Sequence, residues 1–175
     1  NSSTNSALAN LRRQHGYDAP HNIKYWGIGN EVDGHWQIGY KTPEEYARTY
    51  KEFAKVMRWV DPSIKLIASA VSAWGDDFVE RTQLLFEQSK DFIDYLSIHW
   101  YVGNPDNDFN KYMTTSEFFE ERISVFEGLI AAMNLQTKPK QPISISVDEW
   151  NVWYRARGAT SEQRNNLEER YNLEI

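Results

Sequence analysis

Apolar residues along the chain fall into two alternating patterns, short continuous runs and longer stretches with a helical period. Leu8 and Leu11, three apart, predict the end of a helix over residues 5–15, with Gly16 at the C-cap position. A loop containing Pro20 follows, then the apolar run Tyr25–Ile28, which reads as a strand running out into Gly29, Asn30 and Glu31. Thr42-Pro43-Glu44-Glu45 is a helix start: Thr42 caps, Pro43 suits the first helical position and Glu45 completes a capping box. Tyr46, Tyr50, Phe53, Ala54, Met57 and Val60 then recur at helical spacing until Asp61-Pro62 stops the helix.

The pattern repeats. Residues 64–71 predict a second strand, and Asp76 or Asp77 opens a helix carrying Leu84, Leu85 and Gln88. Residues 92–100 predict a third strand, and residues 103–112 a polar loop. A helix over 115–133 places Phe119, Ile123, Phe126, Ile130 and Met133 on one stripe. Pro139 and Pro142 bracket a linker, residues 143–147 form a fourth strand ending in Asp148-Glu149-Trp150, and residues 161–171 read as a polar helix. Strands alternating with helices predict an α/β fold with a parallel sheet built by right-handed crossovers. Neither a repeat nor a second domain is visible in residues 1–175.

Bulk properties narrow the function. The 175 residues carry 19 basic and 25 acidic side chains, a net charge of −6, which argues against nucleic acid or an anionic membrane as partner. No stretch approaches the roughly 18 apolar residues of a membrane span. Cysteine is absent, which removes disulfides and thiolate metal sites. No targeting signal is visible at the first residues, so localisation is open. Aromatic residues make up 14% of the chain, enough for a packed core and for rings that stack on sugars.

In parallel α/β folds ligands bind beyond the carboxyl ends of the strands. Here those ends carry Asn30-Glu31, then Ser69, Ser72 and Trp74, then His99-Trp100-Tyr101, then Asp148-Glu149-Trp150-Asn151. Trp26, His35 and Trp36 add rings near the first. Glu31, His99, Tyr101 and Glu149 can therefore converge on one face. Taken singly, His99 suits a hydrogen-bonded core position, Trp100 and Tyr101 suit packing, and Asp148 suits a pair with a basic residue. Taken together, two carboxylates and an aromatic wall are the equipment of a glycosidase: one acid protonates the leaving oxygen, and the other attacks the anomeric carbon or activates a water. Asp106-Asn107-Asp108 lacks the glycine and terminal glutamate of a calcium loop, and neither metal nor cofactor is expected.

Three stretches, Tyr25-Trp26-Gly27-Ile28-Gly29-Asn30-Glu31-Val32-Asp33-Gly34, Ser97-Ile98-His99-Trp100-Tyr101 and Asp148-Glu149-Trp150-Asn151-Val152-Trp153-Tyr154, closely resemble family 51 of the glycoside hydrolases, the α-L-arabinofuranosidases. The turn Trp36-Gln37-Ile38-Gly39 and the helix stop Val60-Asp61-Pro62-Ser63 resemble it too. The resemblance implies part of a retaining (β/α)8 TIM barrel, about four βα units matching family strands four to seven. It implies Glu31 as acid/base and Glu149 as nucleophile, Asn30 on the sugar 2-hydroxyl, Tyr101 orienting Glu149, His99 lining the site and Trp153 touching the sugar. The implied reaction releases terminal α-L-arabinofuranosyl units from arabinose-containing saccharides. Related retaining β-xylosidase or endoglucanase activity, and a non-catalytic barrel fragment, are the alternatives. The implied partners are the remaining barrel strands and a C-terminal β-sandwich, with a homo-oligomer in the complete enzyme and a slight preference for the cytoplasm over secretion. Half a barrel leaves two open sheet edges, so the isolated chain is expected to be inactive.

Overall fold

The computed structural model describes residues 2–104 and 107–153. Within them the order is α1 (Ala7–Gln14), β1 (Tyr25–Ile28), α2 (Pro43–Val60), β2 (Lys65–Val71), α3 (Phe78–Ser89), a 3-10 turn (Lys90–Phe92), β3 (Tyr95–Val102), α4 (Phe109–Met113), α5 (Thr115–Thr137) and β4 (Ser144–Val152). The four strands form one sheet in the order β1-β2-β3-β4, every neighbouring pair parallel. This is the expected run of βα units. The polar helix expected over 161–171 lies outside the described residues.

Local chemistry sets the elements. Thr42 Oγ1 accepts from Glu45 N while the Glu45 carboxylate accepts from Thr42 N, so both halves of the capping box form at the start of α2. Gly16, just past the C-cap of α1, has φ +89, a value that suits glycine. Leu66 and Ala68 of β2 and Leu96 and Ile98 of β3 turn one face of the sheet toward the helices, which answer with Tyr50, Ala54, Phe86 and Phe126; all eight are fully buried. Each large side chain buried here contributes about 1.5–3 kcal/mol. The opposite face carries Ser69, Ser97, His99 and Tyr101, so the alternation of the pleat separates packing residues from polar ones.

Below the sheet, the buried carboxylate of Asp94 accepts from Arg58 (2.8 Å), Lys65 (3.1 Å), Gln141 Nε2 (2.9 Å) and Leu66 N (2.8 Å). It ties α2, β2, β3 and the linker before β4 at the end remote from Glu31.

Four boundaries differ from expectation. The third strand starts later, because Lys90–Phe92 winds into a 3-10 turn. The loop after it contains the short α4, capped by Asp108 accepting from Lys111 N. Helix α5 continues to Thr137, past the expected end at Met133. The fourth strand runs on to Val152, because β3 extends to Val102 and pairs with it all the way. Phe53 and Val60, placed on the apolar stripe of α2, are 58% and 59% exposed: the stripe is wider than the surface the described residues offer it.

Candidate active site

The first site residue sits on an unusual backbone. Just after β1, Gly29 has φ +85 and Glu31 has φ +46, so the chain turns twice through the left-handed region. At Gly29 a side chain is also excluded by space, since a Cβ would lie 2.8 Å from Val32 Cγ1 and 3.4 Å from Tyr46 Cε2. Glu31 adopts a conformation costly for a residue with a Cβ, and the surroundings hold it there. The Tyr46 hydroxyl donates to Ile28 O (2.6 Å) and accepts from Ser69 N (2.7 Å), joining the ends of β1 and β2. The Asp33 carboxylate accepts from Ser72 N (2.8 Å), Ala73 N (2.9 Å) and the Ser72 hydroxyl, joining the loop after β1 to the loop after β2.

The Glu31 carboxylate is enclosed by donors. Trp36 Nε1 (2.7 Å) and Gln37 Nε2 (2.9 Å) both donate to Oε2, and His99 Nδ1 lies 3.2 Å from Oε1. Burial alone would raise its pKa, but the hydrogen bonds from Trp36, Gln37 and His99 outweigh burial and hold it below the usual carboxylate range.

Glu149 arrives from β4, directly opposite His99 in the β3–β4 register. The Tyr101 hydroxyl donates to Glu149 Oε2 at 3.2 Å, and His99 Nδ1 lies 3.7 Å from the same oxygen. Burial and then the Glu149 charge push the Tyr101 phenol up, which keeps it a proton donor. Trp153 packs edge-on against Tyr101 with ring centroids 5.3 Å apart. Asn30 lies at the exposed tip of β1. One oxygen of Glu31, one of Glu149 and a nitrogen of His99 all lie within 4.8 Å of one another. One cation could touch all three, but these atoms already face one another as hydrogen-bond and charge partners, and none is assigned as a metal ligand. Of the two acids in Asp106-Asn107-Asp108, Asp106 lies outside the described residues and Asp108 caps α4.

Glu31, Glu149, His99 and Tyr101 thus meet, with Trp153 at the margin and Asn30 beside Glu31. In the sequence Trp36 is a ring near the end of the first strand, Gln37 part of a turn and Asp33 part of a motif; the contacts they make emerge only in the fold. A turn five residues past a carboxylate at a strand tip is long enough to fold back on it, and that spacing is the one signal sequence offers for the Trp36 contact. Asp148 was expected to pair with a basic residue. It does so with His99, at 3.2 Å from Nε2.

A parallel α/β sheet whose strand ends bring two carboxylates together, with helices outside, is part of a (β/α)8 barrel of the glycosidase type. Residues 1–123 match the family model described as the alpha-L-arabinofuranosidase 1 domain. The chain belongs to that family, the family-51 arabinofuranosidases. It is 41% identical over 176 residues to the intracellular exo-α-(1→5)-L-arabinofuranosidase 1 of Bacillus subtilis, covering 97% of this chain and 35% of that protein. The α-L-arabinofuranosidase of Thermotoga maritima, solved as an arabinose complex, superposes with a TM-score of 0.74 at 38% identity, over 88% of this chain and 30% of that one. The family-51 enzyme of Thermotoga petrophila gives the same TM-score of 0.74 and 38% identity, over 87% and 30% of the two chains. The chain therefore spans about a third of the length of these relatives. No helix among the described residues is long and apolar enough to cross a membrane.

Proposed function

We propose that this chain supplies both catalytic carboxylates of a retaining α-L-arabinofuranosidase, with Glu149 as nucleophile and Glu31 as acid/base. The observation that carries this reading is the approach of a Glu31 oxygen and a Glu149 oxygen to within 4.8 Å. Retaining glycosidases hold their carboxyls roughly 5–5.5 Å apart, whereas inverting enzymes leave about 6.5–9.5 Å for a water. A Glu149 oxygen attacks the anomeric carbon of a terminal arabinofuranosyl unit while Glu31 gives a proton to the departing glycosidic oxygen. A covalent arabinosyl ester on Glu149 and a free alcohol result. Glu31, now ionised, takes a proton from water as that water attacks the same carbon, and arabinose leaves with its configuration retained. Tyr101 orients Glu149 and keeps its reactive oxygen from rotating away. Asn30 meets the 2-hydroxyl, His99 lines the site and Trp153 walls the sugar.

The reading is tested in a full-length family-51 enzyme carrying this segment. Glu149→Ala abolishes turnover. Glu31→Ala slows both steps, and added azide restores turnover by entering the vacated space to give a glycosyl azide. Unimpaired activity in either variant refutes the assignment. Comparing nitrophenyl arabinofuranoside with xylopyranoside and glucopyranoside separates this activity from a related β-xylosidase or endoglucanase.

A second part of the proposal is that the isolated chain is inactive. In the described sheet β1 and β4 each have a single neighbour, and Tyr25 and Trp150 on these strands are 61% and 66% exposed. The partner these edges call for is the remainder of a barrel, whose missing strands would close the sheet and complete the sugar pocket. Arabinose release by the chain alone would overturn this.

A further inference from the structure

The β3–β4 ladder contains one extra residue. Ile98 pairs with Val147 and His99 with Glu149, so Asp148 has no opposite number on β3. In an unbroken strand Asp148 and Glu149 would point to opposite faces. The bulge re-aims them, and both reach the same imidazole. His99 Nε2 lies 3.2 Å from Asp148 Oδ1, and Nδ1 lies 3.7 Å from Glu149 Oε2. Nδ1 also lies 3.2 Å from Glu31 Oε1. The Ser97 hydroxyl donates to the same Asp148 oxygen at 2.6 Å. A continuous line of contacts thus runs from Ser97 through Asp148 and His99 to Glu31, and the His99 side chain in its middle is only 4% exposed.

The chemistry of that line is constrained. An ionised carboxylate only accepts, so the nitrogen facing Asp148 carries a proton. The other nitrogen faces Glu31. If that contact held no proton, a nitrogen lone pair and a carboxylate oxygen would confront each other at 3.2 Å in a buried site. The contact therefore carries one proton, either on Nδ1 beside an ionised Glu31 or on Glu31 beside a neutral imidazole.

We propose that Asp148 is a positioning residue acting through His99: by holding the Nε2 proton it commits the His99–Glu31 contact to storing the proton that Glu31 delivers to the leaving oxygen. The inference rests on the reading of Glu31 as acid/base. In the first step the stored proton leaves through Glu31 to the glycosidic oxygen. Glu31 is left ionised, and His99 neutral with its remaining proton on Nε2. The lone pair at Nδ1 then opposes the Glu31 charge and makes that carboxylate a stronger base. In the second step Glu31 takes the proton of the attacking water and the contact is refilled.

The groups facing His99 support this arrangement. Glu31 comes from the loop after β1, and Asp148 and Glu149 come from β4. From the loop after β2 the Trp74 indole donates to the His99 carbonyl at 2.9 Å, leaving the ring to the three carboxylates. Burial opposes a charged imidazole, but the hydrogen bonds to Asp148 and Glu31 and the Glu149 charge push His99 up to about 8. Glu31 by itself, held low by Trp36 and Gln37, would be a poor proton store near neutral pH.

The test uses a full-length family-51 enzyme carrying this segment and two arabinofuranosides, one with an alkyl leaving group that needs protonation and one with dinitrophenolate, which does not. In Asp148→Asn the alkaline limb of kcat/KM for the alkyl substrate is expected to move down by about one pH unit or more, with at least a ten-fold loss at pH 8, while the dinitrophenyl substrate changes less than two-fold. Ser97→Ala, which removes one hydrogen bond from Asp148, shifts the limb the same way by less. An unmoved limb in folded Asp148→Asn, or equal losses on both substrates, overturns the proposal. If Asp148→Asn does not fold, an unmoved limb in Ser97→Ala overturns it. Glu31→Ala separates the two readings. If that variant loses the alkyl substrate and azide rescues it, yet Asp148→Asn and Ser97→Ala keep the normal limb, the acid/base assignment stands and this inference alone falls. If Glu31→Ala is fully active, both fall.

Discussion

In a full-length family-51 enzyme carrying this segment, Tyr46→Phe removes one oxygen from the junction of β1 and β2. That hydroxyl sits just past the last paired residues, Ile28 and Ala68, and bridges Ile28 O to Ser69 N as though it were the next rung of the ladder. Tyr46 is 2% exposed, and burial pushes its phenol far above the ordinary range, so it stays a donor at every working pH. Each of the two hydrogen bonds contributes about 1 kcal/mol net, but the carbonyl and the amide left behind are buried, and each unsatisfied group costs about 1–3 kcal/mol. The expected loss is about 2–6 kcal/mol in chemical denaturation followed by tryptophan fluorescence. Activity is expected to suffer separately. The bridged carbonyl is three residues before Glu31, and a carboxylate displaced by about 1 Å loses on the order of a hundred-fold in rate. A stability change below about 0.5 kcal/mol would show that the hydroxyl is not a structural rung. A full stability loss with unchanged kcat would show that the junction does not place Glu31.

Three further outcomes are expected in the same full-length enzyme. Tyr101→Phe removes the 3.2 Å hydrogen bond to Glu149 and should lower kcat about ten- to hundred-fold with KM nearly unchanged, as steady-state kinetics will show; a change confined to KM would refute an orienting role. Asp94→Ala leaves Arg58 without its buried partner and should destabilise the protein by about 3–5 kcal/mol in urea, with the alkaline limb of activity unmoved, because Asp94 lies at the other end of the sheet. Stability should also depend on pH through His99. Its folded value, about 8, lies above the ordinary value of about 6.5, so its contribution is complete below pH 6.5 and is lost as pH rises through 8, roughly 2 kcal/mol in all. Glu31 and Asp148 are held low, Asp148 by His99 and Ser97 against the opposing effect of burial, so their contribution is present above the ordinary carboxylate range and lost on acidification. Melting temperatures at pH 6 and 9 should therefore diverge in the wild type and converge in His99→Gln; equal divergence in both would refute the assignment to His99.

Much of the fold was legible because its signals are local. The capping box at Thr42 and Glu45 and the stop at Asp61-Pro62 need only neighbours in sequence, and both appear where expected. Strand lengths were less legible because a strand ends where its partner ends. Residues 148–151 are polar or aromatic and look like the start of a loop, yet they remain in β4 because β3 continues to Val102 beside them. The exposed Phe53 and Val60 make the same point from the other side: apolar spacing announces a surface to be covered, and what covers it is a matter of the whole assembly.

The site divides along the same line. Residues at strand ends are legible because parallel sheets put function there, and Glu31, His99, Tyr101 and Glu149 all emerged from that rule. What governs their protonation was not legible. Sequence places Asp148 and Glu149 next to each other, and ordinary pleating would send one of them away from the site. Only the unpaired position between Val147 and Glu149 turns both toward His99. A bulge of this kind leaves no trace in composition or spacing, because it is a misfit between two strands and belongs to neither alone. One inserted residue thus changes an acid pair into three carboxylates around one buried imidazole. Against the effect of burial, Asp148, Glu31 and the Glu149 charge together favour a proton retained on His99. The retained proton is what an acid catalyst enclosed by hydrogen-bond donors would otherwise lack.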